Sequence, residues 1–384
     1  MKILMVSMTS IHFFRWTEQL RDAGHQVYWI DVFDSGIKNP KIDFVDQTVG
    51  WRNRINFNGR YFLKEKAPKV YNIINIVNQR KLSAIFLQKF LEIEPDIVHS
   101  FVLFSACTPI LNVMRQYSDI PWIYSAWGND LFYLQHNKNH LKGIKNSLSR
   151  IDYMFADCER DYKIAIKHGF KGKYLGTYPT GGGYDISFYN SFLVPNQQRK
   201  TILIKGYQHE FGRCNSVLNA IKNLKEDLRN FKIIVFAAHK EVFEYLESED
   251  ELREMDNLKV VDHLLQDELL KMMGNSLIYI GNSISDGMPN TLLEAIVMGV
   301  FPIQSNPGGA TEEIIQHSRN GFLIENPEDE KEIQFHLQNA LNNIEFIEEA
   351  VAYNNKYVRP KLEREYIKKQ VIEKYALVES ELKN

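Results

Sequence analysis

Two carboxylates, Asp286 and Glu294, stand eight positions apart, with Gly287, Met288, Pro289, Asn290 and Thr291 between them. The apolar run 276–281 just before them reads as a buried strand. Pro289 suits the first turn of a helix, where its missing N–H costs nothing. Leu292, Leu293, Ala295 and Ile296 continue a helical pattern. The spacing therefore predicts a strand, a loop carrying Asp286, a helix start near Asn290–Leu292, and Glu294 about one turn in. The opening N–H groups of a helix lack intrahelical partners and form its positive end, which suits a phosphate. Glu294 is placed to accept hydrogen bonds from ribose hydroxyls, and Asp286 from sugar hydroxyls. Phosphate, ribose and sugar together describe a nucleotide-sugar. An acidic loop before a solvated helix has the same spacing, so the motif alone leaves both readings open.

The elements around this motif alternate between strand-like and helix-like almost throughout. In the first half, strands are expected at 3–6, 26–32, 96–99, 121–125, 153–156 and 173–177. Helices are expected at 13–23, with Gly24 as a C-cap, at 105–116, and at 159–168, stopped by Gly169. The Gly-rich stretch 179–185, running on to Pro195 and Asn196, interrupts the pattern and reads as a hinge. The alternation then restarts with strands at 201–205, 232–237, 258–261, 277–280, 300–304 and 322–324. Helices are expected at 215–224, 241–246, 267–273, the motif helix and 310–317. Pro327, after Asn326 as N-cap, is expected to open a helical tail. Such alternation argues for parallel sheets covered by helices. Two such domains form a cleft, and ligands bind beyond the carboxyl ends of the strands.

The 384 residues suffice for two domains with sizeable cores. A net charge of −2 gives no support to general nucleic-acid binding. Cys107, Cys158 and Cys214 are scattered, show no zinc spacing and are odd in number, so a reducing cytoplasm is the simple reading. No run approaches the roughly 18 apolar residues of a bilayer span. Residues 1–7 read as a buried first strand rather than a signal peptide, because Arg15, Glu18 and Arg21 follow quickly. Between Arg52 and Lys89 there are nine basic residues against one acid, Glu65, a net +8. Trp51, Phe57, Tyr61, Phe62 and Tyr71 are interleaved. This is the composition of a peripheral contact with an anionic membrane or a lipid-linked acceptor; a solvated basic face over buried aromatics reads the same way.

The motif segment resembles the E-x7-E region of glycosyltransferase family 4, with Asp286 in place of the first Glu and one methylene less reach. The resemblance continues in order through Gly299-Val300-Phe301-Pro302-Ile303-Gln304-Ser305, Pro307-Gly308-Gly309-Ala310-Thr311-Glu312-Glu313-Ile314-Ile315 and Asn320-Gly321-Phe322-Leu323. It implies an α/β protein of the GT-B fold, two Rossmann-like doubly wound domains facing a central cleft. Residues 1–180 would bind the acceptor and 181–361 the nucleotide-sugar donor, with a C-terminal helix near 362–384 packing back onto the first domain. Gly181–Asp185 resembles the family's Pro-x-Gly-x-Asp hinge.

The same resemblance implies site residues. Lys205 and Arg213 match the basic pair that clamps the donor diphosphate, where preorganised charge lowers the barrier as the leaving group becomes more negative. Lys205 precedes its glycine where the family's Arg follows it. Asp286 would bind the donor sugar and Glu294 the ribose. Gly287, Asn290, Thr291 and Leu292 would surround the phosphates, and His263 would lie on a loop near the base. Asp130 matches the acid of a His-Gly-x-Asp loop in which Trp127 occupies the His position. His12 and Arg15, after the first strand, and His99, ending a later one, would face the acceptor.

The implied activity is retaining transfer of a sugar from a UDP- or GDP-sugar to a glycan or lipid-linked glycan in surface polysaccharide (capsule or lipopolysaccharide) biosynthesis. It would need no cofactor or metal, since no Asp-x-Asp motif stands in a suitable place, and would proceed in the cytoplasm or at the inner face of the plasma membrane. Two alternatives remain: a nucleotide-sugar 2-epimerase of the same fold, and a non-catalytic nucleotide-sugar-binding subunit.

Overall fold

Short runs rich in Ile, Val and aromatics, each ended by glycine or a polar turn, become strands because branched side chains pack well on a pleated surface. A computed structural model describes residues 1–55 and 60–383. The chain divides into two compact units. The first comprises Met1–Ala156, Tyr162–Gly181 and Val371–Asn384, and the second Asp157–Asp161 and Gly182–Gln370.

The first unit holds a seven-stranded sheet in the order β3-β2-β1-β4-β5-β6-β7. Its strands are β1 (Lys2–Ser7), β2 (Gln26–Asp31), β3 (Asp46–Thr48), β4 (Ile97–Phe101), β5 (Trp122–Ala126), β6 (Tyr153–Ala156) and β7 (Lys173–Thr177). Every pairing is parallel, with Ile3 opposite both Val27 and Ile97. Leu4, Val6, Val98, Trp122 and Tyr124 bury one face against helices.

The second unit holds a six-stranded sheet in the order β10-β9-β8-β11-β12-β13, again wholly parallel. Its strands are β8 (Thr201–Lys205), β9 (Lys232–Phe236), β10 (Leu258–Val260), β11 (Ser276–Gly281), β12 (Phe301–Ser305) and β13 (Phe322–Ile324). Ile202, Ile204, Ile278, Ile280 and Ile303 form its core. In each sheet the strand order reverses beside the first strand, at β1–β4 and at β8–β11. Doubly wound sheets bind ligands at that point, beyond the carboxyl ends.

The structure departs from the expected elements in several places, among them the helix expected at 105–116, which is a π turn (Leu103–Cys107), a 3-10 turn (Thr108–Ile110) and a short helix (Leu111–Gln116). β3 was not expected: Asp-Gln-Thr carries no apolar signal, yet the Gln47 side-chain amide donates to the carbonyls of Asn39 and Ile42 and fixes the segment. The helix expected at 310–317 is two short turns, Pro307–Gly309 and Thr311–Glu313. There Asn306 Oδ1 accepts the N–H groups of Thr311 and Glu312, so the side chain takes donors that a helix would have used. The helical tail begins at Glu330, capped by Asp329 rather than by Asn326. No helix among the described residues is long and apolar enough to cross a membrane.

Of the basic stretch, Trp51 and Tyr71 are buried, whereas Ile55, Phe62, Val70, Ile76 and Val77 are each exposed. Phe57 and the side chains of Arg60, Tyr61 and Lys64 lie outside the described residues.

Candidate functional site

Four loops meet at the carboxyl edge of the second sheet. Gly206–Arg213 follows β8, and Ala237–His239 follows β9. The loop after β11 carries Asp286, and the loop after β12 carries Asn306–Gly309.

Strand β11 is fully buried, and the chain leaves it into a loop fixed from both sides. The Ser283 N–H donates to Ser305 Oγ at 2.9 Å, and the Ile284 N–H to the Phe211 carbonyl at 2.9 Å. Gly212 bridges Ser283 in antiparallel fashion, so the loops after β8 and β11 form a short ribbon. The Gly287 N–H donates to Asp286 Oδ1 at 2.9 Å, turning the chain into the helix Asn290–Val297. Pro289 caps that helix with extended backbone and no side-chain hydrogen bond. The Leu293 N–H closes the first intrahelical bond, to the Pro289 carbonyl at 3.2 Å, and the N–H groups before it belong to the opening turn.

Glu294 is partly exposed one turn further, and its Oε1 accepts from Tyr189 Oη at 3.2 Å. The Tyr184 hydroxyl donates to the Asn290 carbonyl at 3.1 Å. Thr291 and Leu292 complete the first turn, with Leu292 buried beneath it. Tyr279, buried below the site, has its phenol pKa pushed well above 10, first by burial and then by Asp286, Tyr207 and Glu294. The Tyr279 ring thus marks the common neighbourhood of these three residues.

Sequence reasoning did not find what lies behind Asp286. Arg160 Nη1 donates to the Asp286 carbonyl at 2.8 Å and to the Pro307 carbonyl at 2.6 Å. Its Nε and Nη2 grip Asp161 Oδ1 at 3.0 and 2.8 Å. Glu313 accepts the N–H groups of Glu159 and Arg160. Asp157 Oδ2 accepts the Met288 N–H at 3.3 Å, and a Cβ at Gly287 would overlap this carboxylate, so the position requires glycine. Burial and the charges of Asp161 and Asp286 push Asp157 well above the usual carboxylate range. No spacing signal links residues 157–161 to the loop at 286, since more than a hundred positions separate them in the chain.

Lys205 ends β8 with its Nζ 4.3 Å from the centre of the Tyr207 ring. Among the described residues it makes no ion pair. Arg213 is engaged by its own loop and by Glu328. Its Nε pairs with Glu328 at 2.9 Å, and its Nη1 donates to the carbonyls of His209, Glu210 and Gly212. These bonds make Arg213 the brace of its own loop. His263 is exposed on the loop after β10, its backbone N–H donating to Asp262 Oδ1 at 2.7 Å.

In the first unit, Asp130 and His99 are withdrawn from solvent. Asp130 is 1% exposed. It accepts the Leu103 N–H at 2.9 Å, the Tyr124 hydroxyl at 2.6 Å and the Trp127 N–H at 3.3 Å. Burial raises its pKa to about 6 against those bonds. His99 is 0% exposed, its ring nitrogens joined to Tyr375 Oη at 2.6 Å and Ser125 Oγ at 2.8 Å. Burial lowers its pKa to about 3, so the ring is neutral. His12 remains partly exposed, edge-on to Trp127 at 6.3 Å, with Arg15 partly exposed on the same helix, Ile11–Glu18.

Residues 190–357, within the second unit, match the family model described as Glycosyl transferases group 1. No curated protein sequence matches the chain. Among solved structures, Anabaena HepE in complex with UDP and glucose is 15% identical, covers 98% of this chain and 99% of its own, and has a TM-score of 0.70. Sucrose-phosphate synthase from Thermosynechococcus elongatus is 14% identical over 99% of both chains, with a TM-score of 0.75. UDP-GlcNAc 2-epimerase from Neisseria meningitidis bound to UDP-GlcNAc is 13% identical, covers 98% of this chain and 100% of its own, and has a TM-score of 0.64. The chain has the two-domain, Rossmann-like GT-B fold of these neighbours.

Proposed function

We propose that this protein is a retaining glycosyltransferase of the family 4 type. It moves a sugar from a nucleotide-diphosphate sugar, UDP- or GDP-linked, to a glycan or lipid-linked glycan in surface polysaccharide biosynthesis. The observation that carries the reading is the juxtaposition of Asp286, the start of the helix Asn290–Val297, Glu294 and Lys205 at the carboxyl edge of a sheet whose sequence matches the group 1 model.

In this account Glu294, steadied by Tyr189, receives the ribose hydroxyls. The N–H groups of Asn290–Leu292 and the Lys205 ammonium hold the diphosphate. The bond from the anomeric carbon to the phosphate oxygen breaks, and the electron pair leaves with the nucleoside diphosphate. Fixed positive charge stabilises that oxygen most when its charge is greatest, which lowers the barrier without a metal. Asp286, with its carbonyl held by Arg160, takes the sugar hydroxyls. The acceptor oxygen attacks on the same face and passes its proton to the departing phosphate, so configuration is retained. The first unit presents the acceptor near His12 and Arg15.

We also propose a peripheral contact with anionic membrane through the 52–89 stretch. The exposed Phe62, Val70, Ile76 and Val77, beside Lys66 and Lys69, support it.

The test is a product assay. The protein is incubated with UDP-, GDP- and ADP-sugars and extracted bacterial glycolipids, and the new linkage is read by proton NMR. A glycosidic product with the donor's anomeric configuration supports the reading. Inverted configuration overturns retention. Conversion of a UDP-sugar to its 2-epimer without an acceptor would replace transfer by epimerisation.

A further inference from the structure

Two histidines that the sequence reading did not single out stand beside Lys205. His209 lies on the loop after β8, and His239 on the loop after β9, so both sit beyond the carboxyl ends of adjacent strands. The rings of Tyr207 and His239 stack at 4.9 Å with 15° between their planes, and His209 lies 4.8 Å from His239. The Lys205 ammonium rests over the other partner of this stack, Tyr207. Three basic side chains and one phenol thus form a single cluster.

The local bonds fix how the cluster presents itself. His209 Nδ1 accepts the Phe211 N–H at 3.0 Å, so the neutral ring carries its proton on Nε2. The backbone N–H of His239 donates to the Gly206 carbonyl at 3.0 Å, which pins its ring beside the β8 exit. The charged neighbours are of both signs. Burial, then His239 and Lys205, hold the His209 pKa below its ordinary value, and Glu241 and Glu210 oppose them. Arg213 adds positive charge on the same loop, although Glu328 already pairs with it. Like charges packed this closely disfavour the protonated ring, and an anion placed among them would favour it.

Resting on the function proposed above, we propose that Lys205, His209 and His239 form the seat of the donor diphosphate, and that His209 takes up a proton as the diphosphate binds. In the free protein His209 is neutral at neutral pH. In the complex it becomes a cation hydrogen-bonded through Nε2 to a phosphate oxygen. Affinity is then full below the free-state pKa and falls as pH rises from there through the raised bound-state pKa, by up to about tenfold per pH unit for one whole proton. The diphosphate of a nucleotide-sugar is a diester and stays ionised across this range, so the slope reports the protein.

The experiment is calorimetric titration of the intact protein with UDP-glucose, GDP-mannose and ADP-glucose, in two buffers of different ionisation enthalpy, from about pH 6 to about pH 8. The expected result is proton uptake on binding and a falling affinity with pH. His209→Asn, whose amide oxygen can still accept the Phe211 N–H, is expected to remove most of the uptake and flatten the profile; His239→Gln is expected to reduce it. Binding without proton exchange in wild type, or undiminished uptake in His209→Asn, overturns the inference and leaves the glycosyltransferase reading standing. Failure of all three ligands to bind at any pH overturns both.

Discussion

His99 lies in the middle of β4 in the first sheet, against Tyr375, Ser125 and Phe101, with no surface exposed. Lys205 ends its strand in the second sheet partly exposed, with the Tyr207 face beside its ammonium. Asp130 and Asp286 make a second such pair. One accepts three hydrogen bonds from its surroundings and is sealed. The other is partly exposed and spends one oxygen on the next N–H. Each pair sets a polar group of the first sheet against one of the second, and the degree of internal satisfaction differs. A polar group already saturated by its own chain is part of the core, whereas one supported from behind and open in front can take a ligand.

Substitutions can break this contrast, and the largest effect is expected in the sealed region. His99→Ala leaves the buried hydroxyls of Tyr375 and Ser125 without that partner and opens a cavity. A loss of about 3 kcal/mol in stability is expected, with unchanged affinity for nucleotide-sugar. Urea unfolding beside calorimetry checks both halves of the claim; a weakened donor affinity would show that the first sheet's edge is not merely structural.

Asp130 offers a pH test of similar or slightly smaller size. Its folded pKa of about 6 lies above the ordinary 3.8, so the folded state binds the proton more tightly. The cost of ionising it is absent below the unfolded pKa, grows as pH rises from about 4 to about 6, and is complete above that. It amounts to roughly 2 to 3 kcal/mol. Asp130→Asn should lose this part of the pH dependence of stability. A variant with the wild-type slope would mean that the carboxyl is not buried in solution.

In the open region, Gly287→Ala forces a methyl against the Asp157 carboxylate and should displace the Asp286 loop. About 1 to 3 kcal/mol is expected in stability or donor affinity. The smallest effect is expected from Lys205→Met, about tenfold in donor affinity with stability unchanged. Loss of stability instead would place Lys205 with the core groups.

Much of this fold could be read from the chain. Apolar runs such as 201–205 and 276–281 define buried strands, and Pro289 followed by Leu292 and Leu293 marks the motif helix, so Asp286 and Glu294 could be placed before any coordinates. The alternation of elements likewise indicated two parallel sheets. Three features were not legible. Asp157, Arg160 and Glu313 support the Asp286 loop through contacts that leave no periodic trace. Side-chain capping by Asn306 overrode the helical pattern after it. Burial of His99 and Asp130 depends on what covers them, including Tyr375 from the far end of the chain. His209 and His239 could have been noticed, since both follow strands, but only the ring contacts show that they act together.

The most direct measurement of the central claim is thermal stabilisation by UDP-, GDP- and ADP-sugars in wild type and Glu294→Ala. At about 100 times its Kd, a ligand should stabilise the wild-type fold by roughly 2.7 kcal/mol. The account predicts that one nucleotide-sugar does so and that the effect disappears in Glu294→Ala. Stabilisation that persists unchanged in the variant, or none with any donor, would contradict the assignment of the second sheet's carboxyl edge as the nucleotide-sugar site.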